Sequence, residues 1–173
     1  MVVRMILIIL SVSLGYSGMA AQGGGEPPPD RLMIPASLFD RAVACIKSFE
    51  GWHYARHHPY IGYGHKLLPG EKLTCNLTKA QADSLLRADL IKRCSTFRRF
   101  GKDALLLAVL SYNVGEYRLL GSGRIPKSTL IRKLEAGNRN IYQEYISYCC
   151  YKGRRHAGLL KRRKTEFALF FIP

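Results

Sequence analysis

Polar and apolar positions follow a helical period over most of this chain. Phe39, Val43 and Ile46 form an apolar stripe, and Ser37 with Asp40 gives that helix a start resembling a capping box. A second box, Thr78 with Gln81, opens an amphipathic segment carrying Ala82, Leu85, Leu86 and Leu90 on one face. Residues 102–114, KDALLLAVLSYNV, are apolar almost all round, as in the buried central helix of a small helical domain, and Gly115 stops them. Ser128 starts a helix ending at Gly137, an aromatic-rich helix is predicted over 140–151, and a last one over about 159–170. Residues 52–68 break the period. Gly62, Gly64, Ile61 and several aromatics read there as short strands or a tight hairpin, before a Pro69-Gly70 turn. The expected fold class is α+β: mainly α-helical, with a small β piece near the N-terminus and no internal repeat.

Ahead of the first helix the pattern changes. Arg4, an apolar run over 5–14 and then small residues have the layout of a secretory signal peptide, assigned to 1–21. The run is short for a membrane span, and an uncleaved anchor would export the domain equally. Residues 22–36, including GGGEPPPD, read as a Gly/Pro-rich tether, and the folded domain as 37–173. The expected location is the periplasm or cell envelope. The net charge of +15 over 173 residues demands anionic surroundings, and export favours cell wall over nucleic acid. Lys152, Arg154, Arg155, Lys161, Arg162, Arg163 and Lys164 crowd the last quarter with no acid between them. They read either as a solvated face or as an electrostatic attachment to an anionic wall. The odd count of five cysteines leaves at least one unpaired in a monomer. Buried free thiols are the favoured reading, with one bridge through Cys149 or Cys150 left open.

Extending the first stripe by four from Ile46 lands on Glu50, at the helix's C-terminal end. Burial and the negative end of a helix dipole both favour a protonated carboxyl, which is what a general acid needs. A solvated surface acid is the ordinary alternative. The next acid in the chain is Glu71, which reads as a solvated turn residue. His53 and His57 are four apart, but the glycines and Pro59 argue against a helix presenting them to a metal, so no metal is expected. The aromatics Trp52, Tyr54, Tyr60 and Tyr63 read as a sugar-stacking platform or as packing of the small lobe.

The order FEG, IGYGH, a Pro-Gly turn, QADSLLRADL, SYNVG, STLIRKLEAGN and GLLKRRKTEFALF resembles the phage-type lysozymes, glycoside hydrolase family 24, over nearly the whole domain. The resemblance implies a two-lobed lysozyme-like fold with a cleft between lobes. It also implies cleavage of the β-1,4 bond between N-acetylmuramic acid and N-acetylglucosamine in peptidoglycan. Glu50 matches the family's catalytic glutamic acid. Asn113 matches a polar residue facing the cleft, and His65 a structural histidine at the strand end. Arg162 or Arg163 falls where a basic C-terminal helix passes the acid. The family places an Asp, sometimes a Cys, in the loop after the acid and a Thr directly before the IGYGH-like strand. Here the loop is shorter, the Thr position is Tyr60, and residues 51–70 contain no Asp, Glu or Cys.

Three readings follow. In the first, a neutral histidine, His58 or His57, replaces the Asp as base and water attacks. In the second, Glu50 acts alone and the substrate's own 6-hydroxyl attacks, leaving a 1,6-anhydromuramic end, as in a lytic transglycosylase. In the third, the site is inactive and the domain only binds wall. Tyr60 orients water or stabilises positive charge in either active reading, and Tyr63 and Asn113 contact the glycan. No cofactor is required. Peptidoglycan is the expected partner, an envelope-crossing apparatus a further candidate, and the chain is expected to be a monomer.

Overall fold

In a computed structural model, which describes residues 34–173, the first helix, α1, spans Ala36–Glu50. The signal peptide and most of the tether lie outside these residues. The folded part begins inside the segment read as tether, because Ile34 already packs on the core. The expected Ser37–Asp40 box does not form. Pro35 takes the cap position, and its carbonyl accepts from the Leu38 and Phe39 amides at 3.0 Å each. Asp40 instead accepts a 2.7 Å hydrogen bond from Arg87. α1 buries Ala42, Val43, Cys45 and Ile46 and ends at Gly51.

The broken-period segment is a hairpin. Strands β1 (Tyr60–Ile61) and β2 (His65–Lys66) pair antiparallel, Tyr60 opposite Lys66 and Ile61 opposite His65. His53 adds one bridge to Gly62, and a single 3₁₀ turn, Ala55–His57, fills the approach. Gly62 has φ 56°, and a side chain there would strike Ala82 Cβ at 2.9 Å, so the residue is required both for the turn and for seating the hairpin on the next helix.

That helix, α2 (Lys79–Thr96), starts as expected: Thr78 Oγ1 accepts from the Gln81 amide and Gln81 Oε1 accepts from the Thr78 amide. α3 (Ala104–Val114) is the buried axis, with every residue from Ala104 to Tyr112 inside. It begins two residues later than the apolar run. A 3₁₀ stretch, Arg98–Asp103, precedes it, and Asp103 is held by two hydrogen bonds from Arg139 at 2.8 and 2.9 Å. Short helices α4 (Glu116–Leu120) and α5 (Thr129–Glu135) follow, the latter capped by Ser128 as expected.

The predicted helix over 140–151 is corrected to a five-residue α6 (Tyr142–Ile146) and a second hairpin. Strands β3 (Cys150–Tyr151) and β4 (Arg154–Arg155) join through Lys152 and Gly153, both at positive φ, 48° and 76°. That is the turn geometry that matches strand twist, and a right-handed helix cannot contain it. His156 then caps α7 (Ala157–Phe170), which starts earlier than the apolar pattern indicates. All five thiols are unpaired. Cys45, Cys94 and Cys149 are buried, Cys75 is half-buried and Cys150 exposed. Burial pushes the Cys45 and Cys94 thiols up to about 11 and about 12. No helix among the described residues is long and apolar enough to cross a membrane.

Candidate active site

Glu50 is the last residue of α1, and its side chain is 15% exposed. Its position is set by a ring of five side chains. Arg162 Nη1 lies 2.8 Å from Glu50 Oε1, and Arg162 Nε donates to Glu166 Oε1 at 2.7 Å. Arg163 Nη1 donates to Glu166 Oε2 at 2.7 Å, and its other terminal nitrogen donates to Asn113 Oδ1. Asn113 Nδ2 closes the ring by donating to Glu50 Oε1 at 3.3 Å. Tyr145 adds a hydroxyl donor to Glu166 Oε2 at 3.1 Å.

Two guanidinium groups and two carboxylates balance in charge. They need to, because Arg162, Arg163 and Glu166 are 3%, 0% and 0% exposed. The spacing on α7 supplies the geometry, since residues three and four apart share a helix face. Burial opposes the charge on Arg162, but the Glu50 and Glu166 carboxylates outweigh it and raise its pKa. Burial wins at Arg163, whose pKa is lowered. Of the two arginines expected near the acid, Arg162 therefore touches it, and Arg163 reaches it through Asn113. Glu50 continues the apolar stripe of α1, but the groups that meet it there are polar and charged.

The open side of Glu50 faces a cleft of about 210 Å³ lined by Glu50, His53, Tyr60, Gly64, Tyr112 and Asn113. Glu50 is the only carboxyl in that lining. A Cβ at Gly64 would lie 3.6 Å from Glu50 Oε2, so the hairpin backbone passes close over the second oxygen. Tyr112 donates to the Tyr63 carbonyl at 3.1 Å and ties α3 to the hairpin. Burial raises its pKa, so the phenol stays protonated.

The other residues singled out in the sequence are distributed around this cleft. Tyr60 lines it and is 43% exposed. His57 stands behind it, its Nδ1 accepting from the Tyr54 amide at 2.9 Å and its Nε2 facing Arg56 Nε at 3.2 Å. His58 lines a separate, mainly apolar groove of about 280 Å³ with Ala55, Ile61, Leu67 and Cys75, and Tyr60 borders both. The Tyr63 ring packs edge-on against Trp52 at 5.2 Å, under Lys47 at 4.9 Å. His65 is buried, with Nδ1 2.7 Å from Asp89 and Nε2 3.1 Å from Glu71. Burial alone would lower its pKa, but hydrogen bonds to the two carboxylates outweigh that and raise it. Glu71 is bound to this turn, accepting from the Leu68 amide at 2.8 Å.

His53 enters the cleft without a place in the family pattern. Its amide donates to the Gly62 carbonyl at 2.8 Å, which pins this stretch of chain to the hairpin, and the residue lines the cleft. The available signal was the short loop. With the chain pairing back at Gly62, the third residue after the helix end is the one carried into the cleft. No cluster of three or more His, Cys, Asp or Glu among the described residues forms a metal site.

No curated protein matches the chain. Among solved structures it is similar to the muramidase domain of SpmX from Asticaccaulis excentricus, at 26% identity and a TM-score of 0.61, covering 83% of this chain and 100% of that one. The phage lysozyme family profile matches residues 47–166, which run from just before Glu50 to Glu166 and so span the whole ring. With that match and a lysozyme-like α+β fold, the chain belongs to the phage lysozyme family.

Proposed function

We propose that this chain cleaves peptidoglycan glycan strands at the β-1,4 bond between N-acetylmuramic acid and N-acetylglucosamine, with Glu50 as the general acid. One observation carries the reading. Arg162 and Asn113 both engage Glu50 Oε1, and the Gly64 backbone passes close to Oε2, so the carboxyl is fixed at the wall of the cleft where a bound glycan would meet it. Protonating the leaving oxygen is the step a positioned carboxyl contributes to glycoside cleavage. Family membership and the likeness to a muramidase domain support the substrate class.

Because Glu50 is the only carboxyl lining the cleft, a second reading has direct support: a lone-acid transglycosylase forming 1,6-anhydromuramic ends. The N-terminal signal pattern supports work on the wall side of a membrane. There an envelope-crossing apparatus would need local gaps. Of the seven clustered cations, Arg162 and Arg163 are buried and belong to the site, while the other five are exposed. Lys152, Arg154 and Arg155 line a groove with Tyr151 and His156, and this basic hairpin supports attraction to an anionic wall.

The test is mass spectrometry of muropeptides released from purified peptidoglycan by wild type and Glu50→Gln. The expected result is product from wild type and a loss of about 100-fold or more in the variant, the usual contribution of a positioned acid. Reducing muramic ends would establish hydrolysis, and products lighter by one water would establish transglycosylation. Binding without product from either protein would leave a wall-binding domain.

A further inference from the structure

We propose that Tyr117 is a stacking platform for a sugar of the glycan strand where that strand leaves the Glu50 cleft, at the rim formed by the end of α3. This rests on the reading of β-1,4-linked peptidoglycan glycan as the substrate.

The rim is the first argument. Asn113 lines the cleft and bonds Glu50, and α3 ends one residue later. Gly115 caps the helix with φ 87°, and two peptide steps put its Cα no more than about 7.6 Å from that of Asn113. A Cβ at Gly115 would lie 2.6 Å from Tyr117 Cε1 and 3.0 Å from Cδ1, so one edge of the ring rests against backbone in space that only glycine leaves. A second link runs through the neighbouring wall residue. Glu116 pairs with Arg93 at 3.4 Å, and the Arg93 guanidinium lies 5.2 Å from the centre of the Tyr112 ring, which also lines the cleft. The first turn of α4 is therefore joined to the cleft wall twice, by the chain after Asn113 and by the Arg93 contact with Tyr112.

The ring is the second. Tyr117 is 46% exposed, although α4 is anchored by Leu119, which is fully buried. The Tyr117 hydroxyl accepts from Arg118 Nε at 3.3 Å, and the Arg118 guanidinium carbon stands 5.9 Å from the ring centre, near the outer limit for a cation over a face. The ring is thus held at two edges, Cδ1–Cε1 and the hydroxyl, and keeps open surface between them. Other rings near the acid are committed. Tyr63 packs against Trp52 and Lys47, and Tyr112 is buried with its hydroxyl donating to the Tyr63 carbonyl.

The chemistry fits a pyranose. In a β-1,4-linked aminosugar the ring substituents are equatorial, so both faces of the sugar present C–H groups. These carry partial positive charge, and the face of a phenol ring is negative. A ring fixed by its surroundings loses little rotamer freedom when a sugar lands on it, so more of the contact appears as affinity. No bond is made or broken there. The platform holds the strand while Glu50 acts on a linkage further in.

The test reads binding without cleavage. Glu50→Gln is the parent, titrated by NMR with a disaccharide and an octasaccharide of peptide-free glycan. Tyr117→Leu and Tyr117→Phe are added to it, each with its melting temperature. Tyr117→Leu is expected to weaken octasaccharide binding about tenfold and leave the disaccharide within about twofold. Tyr117→Phe is expected to stay within about twofold for both, because it keeps the ring. With Glu50 intact, Tyr117→Leu should raise KM for long strands about tenfold at nearly unchanged kcat, as loss of uniform binding does. A purely structural role would not depend on the length of the strand. Unchanged octasaccharide affinity in Tyr117→Leu overturns the proposal, and so does an equal loss for both lengths or a Tyr117→Phe loss as large as that of Tyr117→Leu. A parent that does not bind the octasaccharide overturns the proposal and the substrate reading together. The expected affinities with no muropeptide from wild type would uphold the platform and remove Glu50's role alone.

Discussion

The two sides of the Glu50 cleft are built on opposite principles. On the helical side, Arg162, Arg163 and Glu166 are buried, and each contributes to a closed ring that includes Glu50 and Asn113. On the hairpin side, strands of two residues carry Tyr60 and position His53 through a single backbone bridge. Buried charge fixes the acid, and backbone conformation fixes what stands opposite it. The first device is strong because an unpaired buried ion is expensive. The second rests on a few backbone hydrogen bonds and on glycines that let the chain turn.

Breaking the ring should have the largest effect on folding. Glu166→Gln leaves two buried guanidinium groups facing only one carboxylate. We expect it to destabilise the fold by about 3–5 kcal/mol, read by chemical denaturation. A loss under about 1 kcal/mol would show that the ring does not carry this side of the cleft.

Disturbing the hairpin should be milder for stability. Gly64 has φ 94°, and an added Cβ would stand 3.5 Å from Tyr112 and 3.6 Å from Glu50, so contact is tolerable but the backbone is not. Gly64→Ala should cost about 1–3 kcal/mol. It should also reduce muropeptide release more than its stability loss explains, because it moves the hairpin relative to the acid. Equal release per folded molecule would show that the hairpin backbone does not position chemistry.

The smallest effect separates the regions by pH. His65 joins hairpin to α2 through Asp89 and has a raised folded pKa. Its contribution is fully present below its ordinary value of 6.5 and declines as pH rises through the raised folded value. Glu71 is lowered, first by the Leu68 amide and then by His65, so its contribution is present above 4.5 and falls away as pH drops through its folded value. The pair therefore stabilises most between those two ordinary values. Thermal melting of wild type should fall more steeply above pH 6.5 than that of His65→Gln. Parallel curves would remove His65 from the account.

Much of this was legible in one dimension. Periodic apolar residues located α1, α2 and α3, and Thr78 and Ser128 marked the starts of α2 and α5 because a cap is a local bond. Glu50 was found by counting along a stripe. Less regular places misled. Pro35 displaced the Ser37 cap, since its carbonyl, taking the Leu38 and Phe39 amides, starts the helix before Ser37 is reached. Lys152-Gly153 turned an aromatic-rich segment into a hairpin, because two consecutive positive φ angles outweigh a helical period. Short α4 has too few residues to show a period at all.

The sequence by itself determined the helical order, the phage lysozyme resemblance, the acid at the end of α1 and the lack of a second acid after it. These depend on local spacing or on residue identity. Only the tertiary structure decided that Arg162 touches Glu50 while Arg163 works through Asn113, that Glu71 belongs to His65, and that His53 shares the acid's cleft while His58 faces another. Those outcomes depend on which side of a turn or helix a group emerges, and on what the rest of the chain brings to meet it. A buried charge must find its counter-charge in space, and the order of residues does not say where.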